Sequence, residues 1–403
     1  MVERMVWLLL LLLVGADGAP SNHTDTVRTP SLQPAIERGL INLSLGLQRA
    51  SAASTARDEN IIFAPLSIAA VNALLLAASA GVTKRELETL FGVEGVSYNQ
   101  DDLHKLLSDF IFSVETNKQL EQNLVAANGL FPDLHNQVSP EYIKFAKRFY
   151  QCEVISLDYR THPSESTEFI NSWVSNRTEG KISQILEDVA EPLTSLIIAN
   201  AFYFKGSWEQ PFMERFTKMQ NFTINKNEVV KVPLMVGILE VPYYHRKGSH
   251  RVIGLPYKGG DLFMYFVLPE NNLTTFVENL TYDSVKEFMN QTTRQRVIAA
   301  IPKMRVEASL ELSKALYSLG LRSLFYNANL EHLGRGSFVS EVVHKVAVEL
   351  TEKGTEAAAS TSVIIHRDGS MPLFRADRPF LFFISHQKTN AILFWGTVFR
   401  PVV

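Results

Sequence analysis

The sequence has a single cysteine, Cys152, which excludes an intrachain disulfide framework and a thiolate zinc cage, because both need several sulfurs. Stability must come from packing. Basic charge is not in excess either: 39 Lys and Arg stand against 42 Asp and Glu, with no basic run, so the electrostatic footprint of a nucleic-acid binder is missing. Enzyme motifs are also absent. There is no G-x-S-x-G elbow, no H-E-x-x-H, no Walker-type phosphate loop and no G-x-G-x-x-G. The ten histidines are scattered, and the closest pair, His245 and His250, does not align two imidazoles on one helix face. Nothing therefore marks a metal, a cofactor or a nucleophile with its base. With 46% hydrophobic and 20% charged residues over 403, and no heptad or repeat, disorder, collagen and coiled coil are excluded in favour of a globular chain.

Only one long apolar run exists, Val6 to Val14, built around six leucines, preceded by Arg4 and followed by Gly15, Ala16, Gly18 and Ala19. It reads as a signal peptide over residues 1–18, since it is about half of the ~20 residues that a helix needs to span a bilayer. The expected location is secreted and extracellular. In that setting the sequons at Asn22, Asn42, Asn176, Asn221, Asn272, Asn279 and Asn290 become glycosylation candidates, with Asn42 inside a helical pattern that could cover it. A lone cysteine before Val154 and Ile155 reads as a buried small hydrophobe.

Residues 19–34, with Pro20, Pro30 and Pro34, read as a loose arm before a single domain over 35–403. Apolar residues at helical spacing predict helices over Ile36–Leu47, Ser67–Ala80, Lys84–Phe91 and Leu103–Val114. Short β-branched or aromatic runs predict strands at Asn123–Leu130, Cys152–Leu157, Leu193–Phe204, Val252–Leu255, Leu262–Leu268 and Val297–Met304. A helix over Leu310–Leu319, a strand over Val342–Leu350, and a hairpin of Phe380–Ser385 with Ile392–Val398 complete a mixed α+β chain. Between Leu350 and Phe380 lies a long segment without periodicity of its own. Such a segment inside a compact domain is usually functional.

That segment carries Glu352, Gly354, Thr355 and Glu356, then the small run Ala357, Ala358, Ala359, Ser360 and Thr361. It resembles the hinge of an inhibitory serpin, a serine protease inhibitor, and the likeness extends over nearly the whole chain. Asn60-Ile61-Ile62-Phe63-Ala64-Pro65-Leu66-Ser67, Asn171-Ser172-Trp173-Val174 with Thr178-Glu179-Gly180-Lys181-Ile182, and Asn200 to Trp208 resemble family blocks. So do Leu255-Pro256-Tyr257-Lys258-Gly259-Gly260, Ile301-Pro302-Lys303-Met304, His344-Lys345, and Asp377-Arg378-Pro379-Phe380 with Leu393-Phe394-Trp395-Gly396.

The resemblance implies a single-domain serpin-like fold with three β-sheets, about nine helices and an exposed reactive loop over residues 352–376. It implies a metastable monomer that traps a serine protease as a covalent acyl-enzyme, without cofactor, metal, nucleic acid or membrane. Ser67, Asn200 and His344 would lie in the shutter where the central strands part, with Trp208 and Lys303 in the breach near the hinge. This chain has Ala64 where the family usually has a hydroxyl, so one shutter hydrogen bond is expected to be absent. The alternation of a strand would send Thr355, Ala357, Ala359, Thr361, Val363 and Ile365 to one uncharged face and Glu356 to the other.

Two adjacent bonds compete as the scissile one. The usual spacing from Gly354 puts the cut at Asp368-Gly369, which suits a protease with a basic pocket. A loop one residue shorter puts it at Arg367-Asp368, which suits the acidic pocket of a trypsin-like enzyme. Extracellular location favours Arg367. Heparin regulation is not expected, because Lys105 and Lys118 are interleaved with Asp101, Asp102, Asp109, Glu115 and Glu121. The rival class is a non-inhibitory serpin serving as carrier, storage protein or chaperone. Its hinge would carry bulky, charged or proline residues, and 357–361 has none.

Overall fold

The computed structural model describes residues 32–115, 123–352 and 371–401. In chain order the first elements are α1 (Leu32–Ser54), β1 (Ile61–Phe63), α2 (Pro65–Ala78), α3 (Gly81–Leu90), α4 (Gln100–Glu115), β2 (Asn123–Pro132), α5 (Pro140–Tyr150), β3 (Glu153–Val154) and α6 (Pro163–Arg177). Strands dominate the middle: β4 (Leu196–Lys205), β5 (Lys218–Asn225), β6 (Glu228–Arg246), β7 (His250–Pro256) and β8 (Leu262–Pro269). Then come α7 (Leu273–Glu278), α8 (Tyr282–Asn290), β9 (Thr293–Pro302), β10 (Met304–Glu311), α9 (Ser313–Ser318), α10 (Ser323–Tyr326), β11 (Glu341–Leu350), β12 (Leu373–Arg375), β13 (Phe380–His386) and β14 (Ile392–Val398). No helix among the described residues is long and apolar enough to cross a membrane.

The strands form a five-stranded sheet, ordered β10-β11-β4-β2-β3, and a nine-stranded sheet, ordered β1-β14-β13-β8-β7-β6-β9-β12 with β5 on β6. Two of the three expected sheets are thus hydrogen-bonded into one. The joint is β6, whose 19 residues pair with β5 at one end, with β9 beyond Leu234 and with β7 at the last four positions. The expected hairpin of β13 and β14 forms, antiparallel across Lys388-Thr389-Asn390.

Alternation along the central strands of the five-stranded sheet assigns its two faces. Leu196, Ile198, Phe202 and Phe204 on β4, with Val342, Val346 and Val348 on β11, join the main core against the nine-stranded sheet. The intervening Ile197, Ala199, Ala201 and Val343 form a second core under Ile170, Trp173 and Val174 of α6. Both faces are dry at mid-sheet. Residues pointing to either side there are small or apolar, or they must bond one another.

Three local expectations change. The predicted helix over Leu310–Leu319 begins only at Ser313, because Met304, Val306, Ala308 and Leu310 alternate with charged or polar residues and extend β10 to Glu311. The strand expected over Val297–Met304 breaks at Lys303, where the chain passes from the nine-stranded to the five-stranded sheet. Residues 32–34, assigned to the arm, open α1, and Pro34 fits there because the first helical turn needs no backbone donor. Cys152 is buried at 1% exposure, and burial pushes its thiol up to about 12.

Candidate functional site

β4 and β11 are adjacent and parallel, with Asn200 opposite His344. Asn200 also faces Asn128 across β2 and β4, so three polar side chains sit in one row across three neighbouring strands. All three are buried, His344 completely. They satisfy each other. The backbone N–H of Ala64, at the start of α2, donates to His344 Nε2 at 3.0 Å, so the imidazole is neutral and carries its proton on Nδ1. That proton is donated to Asn200 Oδ1 at 2.5 Å. Asn200 Nδ2 in turn donates to Ser67 Oγ at 2.7 Å and Asn128 Oδ1 at 2.5 Å.

Burial pushes the His344 pKa down to about 3, opposed by its hydrogen bond with Asn200. Ala64 offers no hydroxyl to this row, yet its backbone N–H fills the acceptor of His344. No substitution of Ala64 short of proline removes that donor. Sequence reasoning missed Asn128 and the Ala64 amide. Asn128 did carry a signal, because it interrupts the apolar alternation of Ala126 and Leu130 on the core-facing side of its strand.

At the far end of β11 the chain is held by three contacts before it leaves the described residues. Trp208 Nε1 donates to Thr351 O at 2.9 Å, and its ring stacks on Tyr257 with centroids 4.4 Å apart. The N–H of Phe212 donates to Glu352 O at 2.9 Å. Lys303 Nζ lies 2.8 Å from Glu352 Oε2, a carboxylate only 5% exposed. Burial, the largest single influence, would raise that carboxyl, but the hydrogen bond and charge of Lys303 together with further hydrogen bonds to the carboxylate outweigh it and hold the group below its usual range. Lys303 reaches it because it occupies the crossing between sheets.

The hinge residues Gly354, Thr355, Glu356, Ala357, Ala358, Ala359, Ser360 and Thr361 lie outside the described residues, as do Arg367, Asp368 and Gly369. The chain re-enters at Met371, and β12 pairs parallel with β9. The segment expected as loop over 352–376 therefore ends in a strand, because Phe374 and Ala376 are apolar positions that bury completely. Of the seven sequons Asn22 also lies outside the described residues, whereas Asn42, Asn176, Asn221, Asn272, Asn279 and Asn290 are exposed. Asn42 falls on the outer side of α1, so the helix does not cover it.

Three comparisons bear on this arrangement. The family model described as "Serpin (serine protease inhibitor)" matches residues 39–401. Serpin B8 of Homo sapiens is 33% identical over 357 residues, covering 85% of this chain and 94% of that protein. The leukocyte elastase inhibitor of Sus scrofa is 34% identical over 358 residues, covering 85% and 93%. Among solved structures, uncleaved ovalbumin superposes with a TM-score of 0.84 at 24% identity, over 91% of this chain and 100% of the other, a likeness of fold. Human thyroxine-binding globulin complexed with its hormone gives 0.81 at 27% identity, over 92% and 100%.

Proposed function

Because this chain belongs to the serpin family of serine protease inhibitors, we propose that it is a secreted suicide inhibitor of trypsin-like proteases, cut at Arg367-Asp368. The protease serine attacks the Arg367 carbonyl, the bond to the Asp368 nitrogen breaks, and that nitrogen leaves with the proton delivered by the protease histidine. Arg367 is left ester-linked to the enzyme. The freed loop then enters between β4 and β11 before water can hydrolyse the ester.

The observation that carries this reading is the parallel pair of β4 and β11. A strand turning back from the end of β11 runs antiparallel to both, so it can bond both edges. With residues 351–354 as the turn and Thr355 opposite Leu350, Ala357 comes opposite Val348, Ala359 opposite Val346, Thr361 opposite His344 and Val363 opposite Val342. Every one of those loop residues is uncharged, and every partner faces the main core or the polar row. The Thr361 hydroxyl arrives where His344 and Asn200 must part, and it supplies a donor and an acceptor to the groups they release. Small side chains fit a slot dry on both faces without overpacking.

Secretion is supported by the leucine run after Arg4 and by six exposed sequon asparagines. Expression in a eukaryotic host should yield a medium fraction whose mass falls on treatment with an N-glycanase. The spacing from Gly354 favours a second bond, Asp368-Gly369, with an Asp-specific protease as target.

The test is incubation with trypsin-like, chymotrypsin-like and Asp-specific proteases, read on a denaturing gel. A complex stable to denaturant, with a released peptide beginning at Asp368, is expected. A peptide beginning at Gly369 moves the cut to Asp368. Clean cleavage by every protease, with no complex and no gain in melting temperature, favours the non-inhibitory class.

A further inference from the structure

The short helix α7 is flanked by two sequon asparagines, and both face one cleft. Asn272 precedes its first residue and Asn279 follows its last, so they stand about 10 Å of helix rise apart. Thr275 and Phe276 lie between them on the same helical stripe, and all four residues line a cleft of about 330 Å³ between α7, α8 and the turn from β6 to β7. Small-ligand pockets begin at about 300 Å³. Phe276 is half-buried: its inner side packs on His250, with ring centroids 5.4 Å apart, and on Phe288, stacked at 6.2 Å. The far wall is electrically balanced, because Arg246 Nη1 donates to both carboxylate oxygens of Glu287, at 3.2 and 3.1 Å. His250 adds no charge at pH 7, since burial pushes its pKa down. Hydroxyls and amides, among them Ser284 and Asn271, complete the rim. An aromatic wall with a neutral polar rim suits a sugar. One face of a pyranose ring is C–H and is attracted by the electron-rich face of an aromatic ring, while the hydroxyls at its edge need polar partners.

Resting on the reading of this chain as secreted, we infer that the first N-acetylglucosamine of a glycan on Asn279 seats in this cleft against Phe276. In the attachment step Asn279 Nδ2 bonds to C1 of the sugar of a lipid-linked diphosphate donor, the bond from C1 to the phosphate oxygen breaks, and the Nδ2 proton leaves with the diphosphate. The direction of the sugar comes from the asparagine itself. Side chains on a helix lean toward its N-terminus, and Asn279 Nδ2 donates to Thr275 O, one turn back, at 2.7 Å. One amide hydrogen is used there and the sugar replaces the other, so the glycan begins beside Thr275 and Phe276. Phe276 precedes Asn279 by the three residues that set two helical side chains next to each other. Asn272 is held differently. Its Oδ1 caps the helix, accepting the Thr275 N–H at 3.0 Å, which sets its Nδ2 on the side of the amide away from the helix. A sugar on Asn279 therefore covers the exposed side of Phe276 and joins the end of α7 to α8, whereas one on Asn272 projects into solvent.

The test uses the full chain secreted from a eukaryotic host, with the occupancy and release of each site read by peptide mass spectrometry. An N-glycanase hydrolyses the bond from Nδ2 to the first sugar and leaves Asp, which marks every released site by mass. In the folded protein, release at Asn279 should be at least fivefold slower than at Asn272 and the other occupied sites, and after heat denaturation the rates should agree within twofold. Phe276→Leu keeps an apolar side chain but removes the flat ring, and should bring Asn279 to the rate of the other sites. Should that variant fail to fold, the parent is read by NMR with carbon-13-labelled sugar: the ring C–H signals that disappear in Asn279→Gln should lie upfield of those from Asn272, shielded by Phe276, and unshifted signals overturn the seat. Equal release at Asn279 and the other sites of the folded parent overturns it too, and leaves the cleft to a free ligand. So does protection that survives in folded Phe276→Leu. Glycans at other sites with Asn279 bare overturn this assignment and leave secretion standing. A chain that carries no glycan at any site, or never reaches the medium, overturns secretion itself, and the seat with it.

Discussion

Acid should weaken the native sheet through His344, and the size of the effect follows from its surroundings. Unfolded, the imidazole titrates near 6.5; folded, it sits near 3, because it is fully buried and its Nε2 accepts from the Ala64 amide. Above pH 6.5 both states are neutral and nothing changes. Below it the unfolded chain takes up a proton that the folded chain refuses, so stability falls by about 1.4 kcal/mol per pH unit until about pH 3. At pH 4.5 the loss is about 3 kcal/mol from this residue. When the proton does bind, Nε2–H points at the Ala64 N–H, and the start of α2 has to move away from the sheet. His104, which burial pushes down to about 4, adds a similar slope elsewhere in the molecule. A variant comparison removes it: His344→Gln should be less stable than the parent at pH 7.5, yet its urea midpoint should fall less steeply between pH 6.5 and 4.5, so the two curves converge. Parallel curves over that window would refute the neutral, desolvated imidazole as the source.

Three further outcomes can be measured directly. Thr355→Arg or Ala357→Arg puts a charge on the core-facing side of the entering strand, at a cost of several kcal/mol, and should turn the protein from inhibitor to substrate, cut at the same bond with no covalent complex on a gel. Asn200→Ala leaves the Nδ1–H of His344 and its neighbours in the row without partners, and should cost about 2–4 kcal/mol in urea unfolding, with Asn128→Ala costing less. Lys303→Met leaves the Glu352 carboxylate unpaired at the exit of β11; because Lys303 is partly exposed the loss should be only about 1–2 kcal/mol, seen as a lower melting temperature of the intact chain but not of the cleaved one.

Elements with a strong period were legible: the helices α1, α2 and α4 and the β13–β14 hairpin lie close to where spacing places them. Residues 218–246 gave no strand expectation, although they hold β5 and the longest strand, β6. Around Pro233, Gly237 and Pro242 the alternation of β6 breaks, with Leu234 and Met235 both buried and Val236, Gly237 and Ile238 all partly buried, which blurs a two-residue period, and the pairing with β9 depends on distant sequence. Asn200, His344 and Ser67 were found through the resemblance. Physics alone would have offered two polar residues inside apolar strands, without saying that they meet across 144 residues of chain. The clamp on Thr351 and Glu352 was legible only as proximity. Its donors come from Trp208, the Phe212 backbone and a lysine at a sheet crossing that the predicted strand did not break.

The pairing of β4 with β11 also sets a schedule for synthesis. Asn200 leaves the ribosome 144 residues ahead of its partner His344, which at ~5–20 residues per second is roughly 7 to 30 s. During that interval β4 can complete its antiparallel contact with β2, already made, while its other edge has nothing to bond. An unpaired edge rich in Ile, Phe and Tyr is a template for any extended segment nearby. Closing a loop of this length is also slow and entropically late, compared with the tight turn that joins β13 to β14. The nascent chain therefore carries its most adhesive edge at the middle of its future sheet, and correct folding depends on that edge being sheltered until β11 is made.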